Sequence, residues 1–130
     1  MSFLVLVVDD EPDVEMLFRQ QFRRDLRDNR FTMDFAQSAA SALQRISDAA
    51  GASLILILSD INMPGMSGIE LLSKIRHDFP DPPPVVMMIT AYGDEENRRQ
   101  AVQNGADDFL TKPLDFNLLK EKLKKIVNNG

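Results

Sequence analysis

The sequence predicts an α/β domain in which a parallel sheet is wrapped on both faces by helices, and three observations carry that expectation. Strand-like runs alternate with helical stripes five times along the chain. Two of the runs, Phe3 to Val8 and Leu54 to Leu58, are apolar throughout, the pattern of strands covered on both sides. Three runs end at charge: Asp9 and Asp10 after the first, Asp60 after Leu54 to Leu58, and Lys112 after Phe109 and Leu110.

Taken in order, Phe3 to Val8 is a central strand. Pro12, a good first-turn residue, opens a helix whose apolar stripe is Val14, Leu17, Phe18, Phe22 and Leu26. Phe31, Met33 and Phe35 alternate with Thr32 and Asp34, which suits a strand with one face in water, near a sheet edge. Ala39, Ala42, Leu43 and Ile46 form the second stripe, with Ser38 as N-cap and Gly51 as stop. Leu54 to Leu58 is again central. Ser67 and Glu70 match a capping box ahead of Leu72, Ile75 and Phe79, and Pro80 closes that third helix. Val85 to Ile89 follows Pro82, Pro83 and Pro84 and ends at Thr90.

The fourth helix, about Glu95 to Asn104, has only Ala101 and Val102 as apolar residues, so it is expected to be the least firmly docked element. It is either a solvated connector or a mobile functional surface. A short strand, Phe109 to Thr111, precedes the last helix, which starts near Asp115 and is expected to bury Leu118, Leu119, Leu123, Ile126 and Val127. Lys120, Lys122, Lys124 and Lys125 crowd its C-terminal half, where the helix dipole favours positive charge.

A chain of 130 residues with 44% hydrophobic composition fits one domain over 1–130 with one core. Its net charge of −5 argues against binding nucleic acid or an anionic membrane through a broad basic surface, though a local basic patch stays open. There is no cysteine, hence no disulfide framework and no thiolate metal site. Phe3 to Val8 is too short for a signal-peptide core, and no apolar stretch approaches the ~20 residues of a membrane span. A soluble cytoplasmic protein is expected.

If the runs are parallel strands of one sheet, their carboxyl ends share the edge where open α/β sheets place ligands. Asp9, Asp10, Asp60 and Lys112 then meet in one cleft. Crowded carboxylates repel one another and favour a divalent cation, while a lysine favours an anion, so the cleft reads as a site for a metal and a phosphoryl group. Each part also has a plainer reading: a solvated acidic turn at Asp9-Asp10, a strand end at Thr90-Ala91, a surface lysine before Pro113. The loop Asp60-Ile61-Asn62-Met63-Pro64-Gly65-Met66-Ser67-Gly68 is rich in special backbone positions and leads into a capped helix.

Four segments together resemble the receiver domain of two-component response regulators in order and spacing: Val7-Val8-Asp9-Asp10-Glu11, Asp60 to Gly65, Ile89-Thr90-Ala91 and Gly105 to Pro113. The resemblance spans essentially the whole chain. It implies a flavodoxin-like (βα)5 fold with strand order 2-1-3-4-5. Asp60 would be the phosphoacceptor, Asp10 a direct ligand of Mg²⁺ (or Mn²⁺), Asp9 a ligand through water, and Asn62 a ligand through its main-chain carbonyl, with Asp60 completing the metal set. Thr90 and Lys112 would hold the phosphoryl oxygens, Thr90 and Phe109 would form the switch, and Asn62 and Tyr92 would flank the path of the hydrolytic water. Phe109 as a plain core residue and Tyr92 as an ordinary loop aromatic are the alternatives. The Lys112-Pro113 bond would be cis.

The same resemblance implies a histidine kinase or histidine phosphotransfer domain as donor, an output domain or target protein as receiver of the signal, and no catalysis beyond the domain's own phosphorylation and dephosphorylation. Arg98, Arg99, Asp107, Asp108 and Lys122 would form either a charged homodimer face on the fourth helix, fifth strand and fifth helix, or a solvated surface. A pseudo-receiver would lack one of the acids, and here every position is filled. An aspartyl-phosphate phosphatase would carry Asp-x-Asp after the first strand and a cap insertion; here Asp9-Asp10-Glu11 sets the acids side by side. Arg23 to Arg30 and Asp81 to Pro84 are longer than a minimal receiver needs.

Overall fold

The computed structural model describes residues 3–49, 54–63, 65–80, 83–91 and 93–129, with only the backbone of 54 and 127–129. Gly51, Pro64, Asp81, Pro82, Tyr92 and the Val127 side chain lie outside the described residues. The elements are β1 (Phe3–Val8), α1 (Asp13–Gln21), α2 (Arg23–Arg27), β2 (Thr32–Ala36), α3 (Ala39–Asp48), β3 (Leu54–Asp60), α4 (Gly68–Asp78), β4 (Val85–Thr90), α5 (Glu95–Gln103), β5 (Asp108–Thr111) and α6 (Phe116–Asn129). The five strands form one parallel sheet of order β2-β1-β3-β4-β5. This is the flavodoxin-like order, and the period-two strand β2 takes an edge.

Alternation along each strand sends its residues to two cores. On one face Leu6, Val8, Ile57, Val86 and Met88 pack against α3, α4 and α5 in an aliphatic core. On the other, Val5, Val7, Leu56, Leu58 and Met87 meet α1, α2 and α6 through an aromatic cluster of Phe18, Phe22, Phe31 and Phe35. Phe116 joins it, with ring centroids 5.2 Å from Phe18 and 6.1 Å from Phe22. Among the described residues no helix is long and apolar enough to cross a membrane.

Local signals account for most boundaries. The Ser38 hydroxyl accepts from the Ser41 N–H (3.1 Å), and that of Ser67 from the Glu70 N–H (3.2 Å). The Asp115 carboxylate accepts from the N–H groups of Asn117 and Leu118, capping α6. Helix α4 ends at Asp78, and Phe79 takes a non-helical conformation ahead of Pro80.

Three expectations need correction. The first helix is not continuous, because Phe22 leaves helical geometry and divides it into α1 and α2. That break accompanies complete burial of the Phe22 ring among Phe18, Phe31 and Phe116, while Arg23 and Arg24 stay exposed. Leu17 and Leu118 are each 44% exposed rather than buried. The core stripe runs through Phe18 on α1 and through Leu119 and Leu123 on α6, and a residue one position away is turned by about 100° from it.

Candidate functional site at the carboxyl edge of the sheet

The register of the sheet builds the site. Val8 pairs with Ser59 across β1 and β3, so Asp9 and Asp60 leave neighbouring strands at one level. Hydrogen bonds continue past the strand ends and fix the following residues: Asp9 N–H to Ala36 O (3.0 Å), Ile61 N–H to Ile89 O (3.3 Å) and Lys112 N–H to Thr90 O (2.8 Å). The Lys112-Pro113 peptide is cis.

Asp9, Asp10 and Asp60 each present a carboxylate oxygen, all within 4.8 Å of one another. Asp60 is 4% exposed, and both its oxygens are engaged: Oδ2 accepts from Lys112 Nζ (2.9 Å) and Oδ1 from the Asn62 N–H (3.3 Å). Asp9 Oδ1 accepts from the Glu11 N–H (2.9 Å). Three carboxylates thus face one ammonium, and the surplus is negative. Burial raises the Asp9 pKa, with the charges of Asp60 and Asp10 adding to the rise against the Glu11 N–H and Lys112. For Lys112 burial works the other way, but the hydrogen bond and charge of Asp60, with Asp9 and Glu11, hold its proton more tightly than in water. Oxygen donors with surplus negative charge fit a hard divalent cation.

Thr90 is buried at the end of β4, one residue past the Ile89 that pairs with Asp60. Phe109 lies level with Met88 on β5, half-buried against the aliphatic core. The Arg98 guanidinium of α5 sits 4.9 Å from its ring centroid. Asn62 is exposed beside Asp60. The register therefore brings Asp9, Asp10, Asp60, Asn62, Thr90 and Lys112 to one edge, with Phe109 set back along the sheet; Tyr92 lies outside the described residues.

Three residues escaped the sequence reading. A Cβ at Gly68 would fall 2.2 Å from the Asp60 carbonyl oxygen, and its N–H donates to Ile61 O (2.8 Å), so only glycine lets α4 start against the Asp60 backbone. The signal was a glycine directly after an N-cap serine. Arg76 of α4 donates to Pro84 O (2.6 Å), to Gly105 O (2.7 Å) and to Asp107 Oδ2 (2.8 Å). That oxygen also accepts from the Val86 N–H (2.8 Å), so Arg76 and Asp107 tie α4, the start of β4 and the turn before β5 together. Arg98 stood in the sequence as a charge of a dimer face or of a solvated surface, and its contact with the Phe109 ring was not foreseen. The charges considered for a dimer face are engaged within the chain: Asp107 with Arg76, Asp108 with Lys122, and Arg99 with Glu96.

A family model described as the response regulator receiver domain matches residues 5–124. The chain is 38% identical over 116 residues to the response regulator protein PilR of Pseudomonas aeruginosa, covering 89% of this chain and 24% of that protein. It is 37% identical over 126 residues to the transcriptional regulatory protein ResD of Bacillus subtilis, covering 97% of this chain and 48% of that protein. The chain thus spans between a quarter and a half of the length of these relatives. The crystal structure of the receiver domain of NtrX from Brucella abortus superposes with a TM-score of 0.78 at 31% identity, covering 97% of this chain and 99% of that one.

Proposed function

The chain belongs to the response regulator receiver domain family, and from that premise we propose that Asp60 accepts a phosphoryl group from a phosphohistidine and that the resulting charge resets α5. The observation that supports this most is the buried Asp60 carboxylate, held on both oxygens beside Asp9, Asp10 and Lys112. A carboxylate oriented in this way is a competent nucleophile without a general base, since it has no proton to lose.

The transfer is an in-line displacement. An Asp60 oxygen forms the new P–O bond as the P–N bond to the donor imidazole breaks, and the bonding pair of that bond leaves with the ring nitrogen. Lys112, already at Asp60 Oδ2, neutralises charge on the phosphoryl oxygens. The Thr90 hydroxyl donates to another of them. Asp9, Asp10, Asp60 and the Asn62 carbonyl would hold Mg²⁺ or Mn²⁺, and when bound that ion supplies the positive charge that lets one anion approach another. By the family resemblance Asn62 and Tyr92 would flank the path of the hydrolytic water, so Tyr92→Ala is expected to hasten dephosphorylation, and an unchanged rate would reject that role.

The conformational signal follows from the movement of Thr90 towards the phosphoryl group. That movement opens space at Phe109, whose turning shifts the population of α5 through Arg98. The donor is a histidine kinase or histidine phosphotransfer domain, and the recipient is an output domain or a target protein. A homodimer on α5, β5 and α6 would have to exchange the intrachain pairs of Asp107, Asp108 and Arg99 for contacts between chains. The domain's chemistry on this reading is its own phosphorylation and dephosphorylation.

The test is phosphorylation by a small-molecule phosphodonor with Mg²⁺, read by intact mass. The wild-type protein is expected to gain one phosphoryl group and Asp60→Asn none; labelling that survives in the variant would overturn the assignment.

A further inference from the structure

At the amino end of the sheet, on the opposite side of the molecule from Asp60, α1, α2, the segment leading into β2 and α6 line an open groove of about 930 Å³. Five cations line it, Arg23, Arg24, Arg30, Lys120 and Lys124, against one carboxylate, Asp25. Among the described residues only Arg30 of these is ion-paired within the chain, to Asp25 at 2.8 Å and Asp28 at 4.0 Å. Among the described residues no ion pair engages the other four cations. A protein of net charge −5 has gathered unpaired positive charge in one concavity, and it does so through the α1–α2 break and the Arg23 to Arg30 segment that the receiver pattern does not require.

We propose that this groove is a docking site for an acidic peptide segment of a partner protein. Charge complementarity selects an anionic occupant, and three features select a peptide among anions. The groove is too large for a single inorganic ion, falling in the range of sites that enclose an organic ligand. Gln20 and Gln21 line it beside the cations and offer both donors and acceptors, which suits a peptide backbone. Its apolar walls, Phe22, Phe31 and Leu123, are each less than 10% exposed. They offer no open aromatic face for nucleobase stacking and no protruding side chain to enter a bilayer. A long polyanion would extend beyond the groove onto an acidic protein, whereas a short segment confines its charge within about a Debye length of the cations. Lys120, 5.5 Å above the Phe22 ring centroid, is already held in place.

Fluorescence anisotropy with a fluorescein-labelled peptide of repeated Glu-Glu-Leu units tests the site, with a single-stranded oligonucleotide and phosphatidylserine vesicles as competing probes. The peptide is expected to bind, more weakly as salt rises. Arg24→Glu/Lys124→Glu is expected to weaken it by about tenfold, while Lys74→Glu, exposed on α4 and remote from the groove, leaves it nearly unchanged. Arg24→Gln/Lys124→Gln should give an intermediate loss with an unaltered circular dichroism spectrum, separating charge from folding. Labelling of Asp60 should be the same in all variants. No binding by the peptide, equal loss with Lys74→Glu, or preference for the oligonucleotide or vesicles would overturn the proposal.

Discussion

Helices α4 and α5 lie side by side on one face of the sheet and are attached to it in opposite ways. Helix α4 buries Gly68, Leu71, Leu72 and Ile75 and is tied at its far end by Arg76 to backbone carbonyls of two other segments. Helix α5 buries Ala101 alone, leaves Val102 59% exposed, and meets the sheet's Phe109 through the Arg98 guanidinium. On the proposed function, the difference would separate a frame from a moving part. The element that begins directly on the Asp60 backbone is the more firmly attached one, so on that proposal the site would keep its geometry while the neighbouring helix shifts.

The sharpest way to break this contrast is to empty the two contacts in turn. Leu72→Ala, fully buried on α4, is expected to cost about 2–5 kcal/mol in urea unfolding. If it costs no more than the exposed Val102→Ala, the frame is misassigned. Gly68→Ala forces α4 away from the Asp60 carbonyl and is expected to cost about 1–3 kcal/mol and to abolish labelling of Asp60. Full labelling of a folded variant would show that the approach of α4 is not required by the site.

Arg76→Met leaves the Pro84 and Gly105 carbonyls without their side-chain donor and Asp107 without its guanidinium, for about 1–3 kcal/mol. That loss should appear together with faster amide exchange at the start of β4, and protection there at wild-type level would remove the clamp from the account.

A smaller effect is expected from pH. Burial pushes the Asp108 carboxyl up, but the Lys122 hydrogen bond, the Phe109 N–H and the charges of Lys122 and Arg98 outweigh it, and its pKa falls below the ordinary carboxylate value. A carboxyl lowered on folding contributes stability above its unfolded pKa and loses it as pH falls through the folded value. Lys122→Met should therefore flatten the acid limb of the stability profile, as measured by urea midpoints taken down through the carboxylate range. An unchanged limb would assign that limb to other groups. Smallest of all, Val102→Ala should stay within about 0.5 kcal/mol of the parent.

The contrast between the helices was legible in the sequence, because burial writes itself into composition: Leu72, Ile75 and Phe79 on one helix, only Ala101 and Val102 on the other. The sheet order came with the family resemblance, while the edge position of β2 also followed from its period. The carboxyl-edge site was legible because strand ends are marked by where apolar runs stop. What stayed hidden depends on distances between segments far apart in sequence. Arg76 meets Gly105 across 29 positions, and the demand on Gly68 is set by a carbonyl on another element. Leu17 and Leu118 were misjudged because a helical stripe has a width, and residues at its margin are decided by how the neighbouring helix crosses. The division of the first helix at Phe22 left no proline or glycine to mark it; it follows from aromatic packing that no local window contains.

Amide hydrogen exchange on the protein phosphorylated with a small-molecule phosphodonor in Mg²⁺, compared with the unphosphorylated protein and with Asp60→Asn under the same treatment, tests the central claim most directly. Phosphorylation of Asp60 is predicted to change exchange in α5 and around Phe109 while leaving α4 as it was, with no change in the variant. Exchange that stays the same in α5 after stoichiometric phosphorylation, or that changes equally in α4, would contradict it.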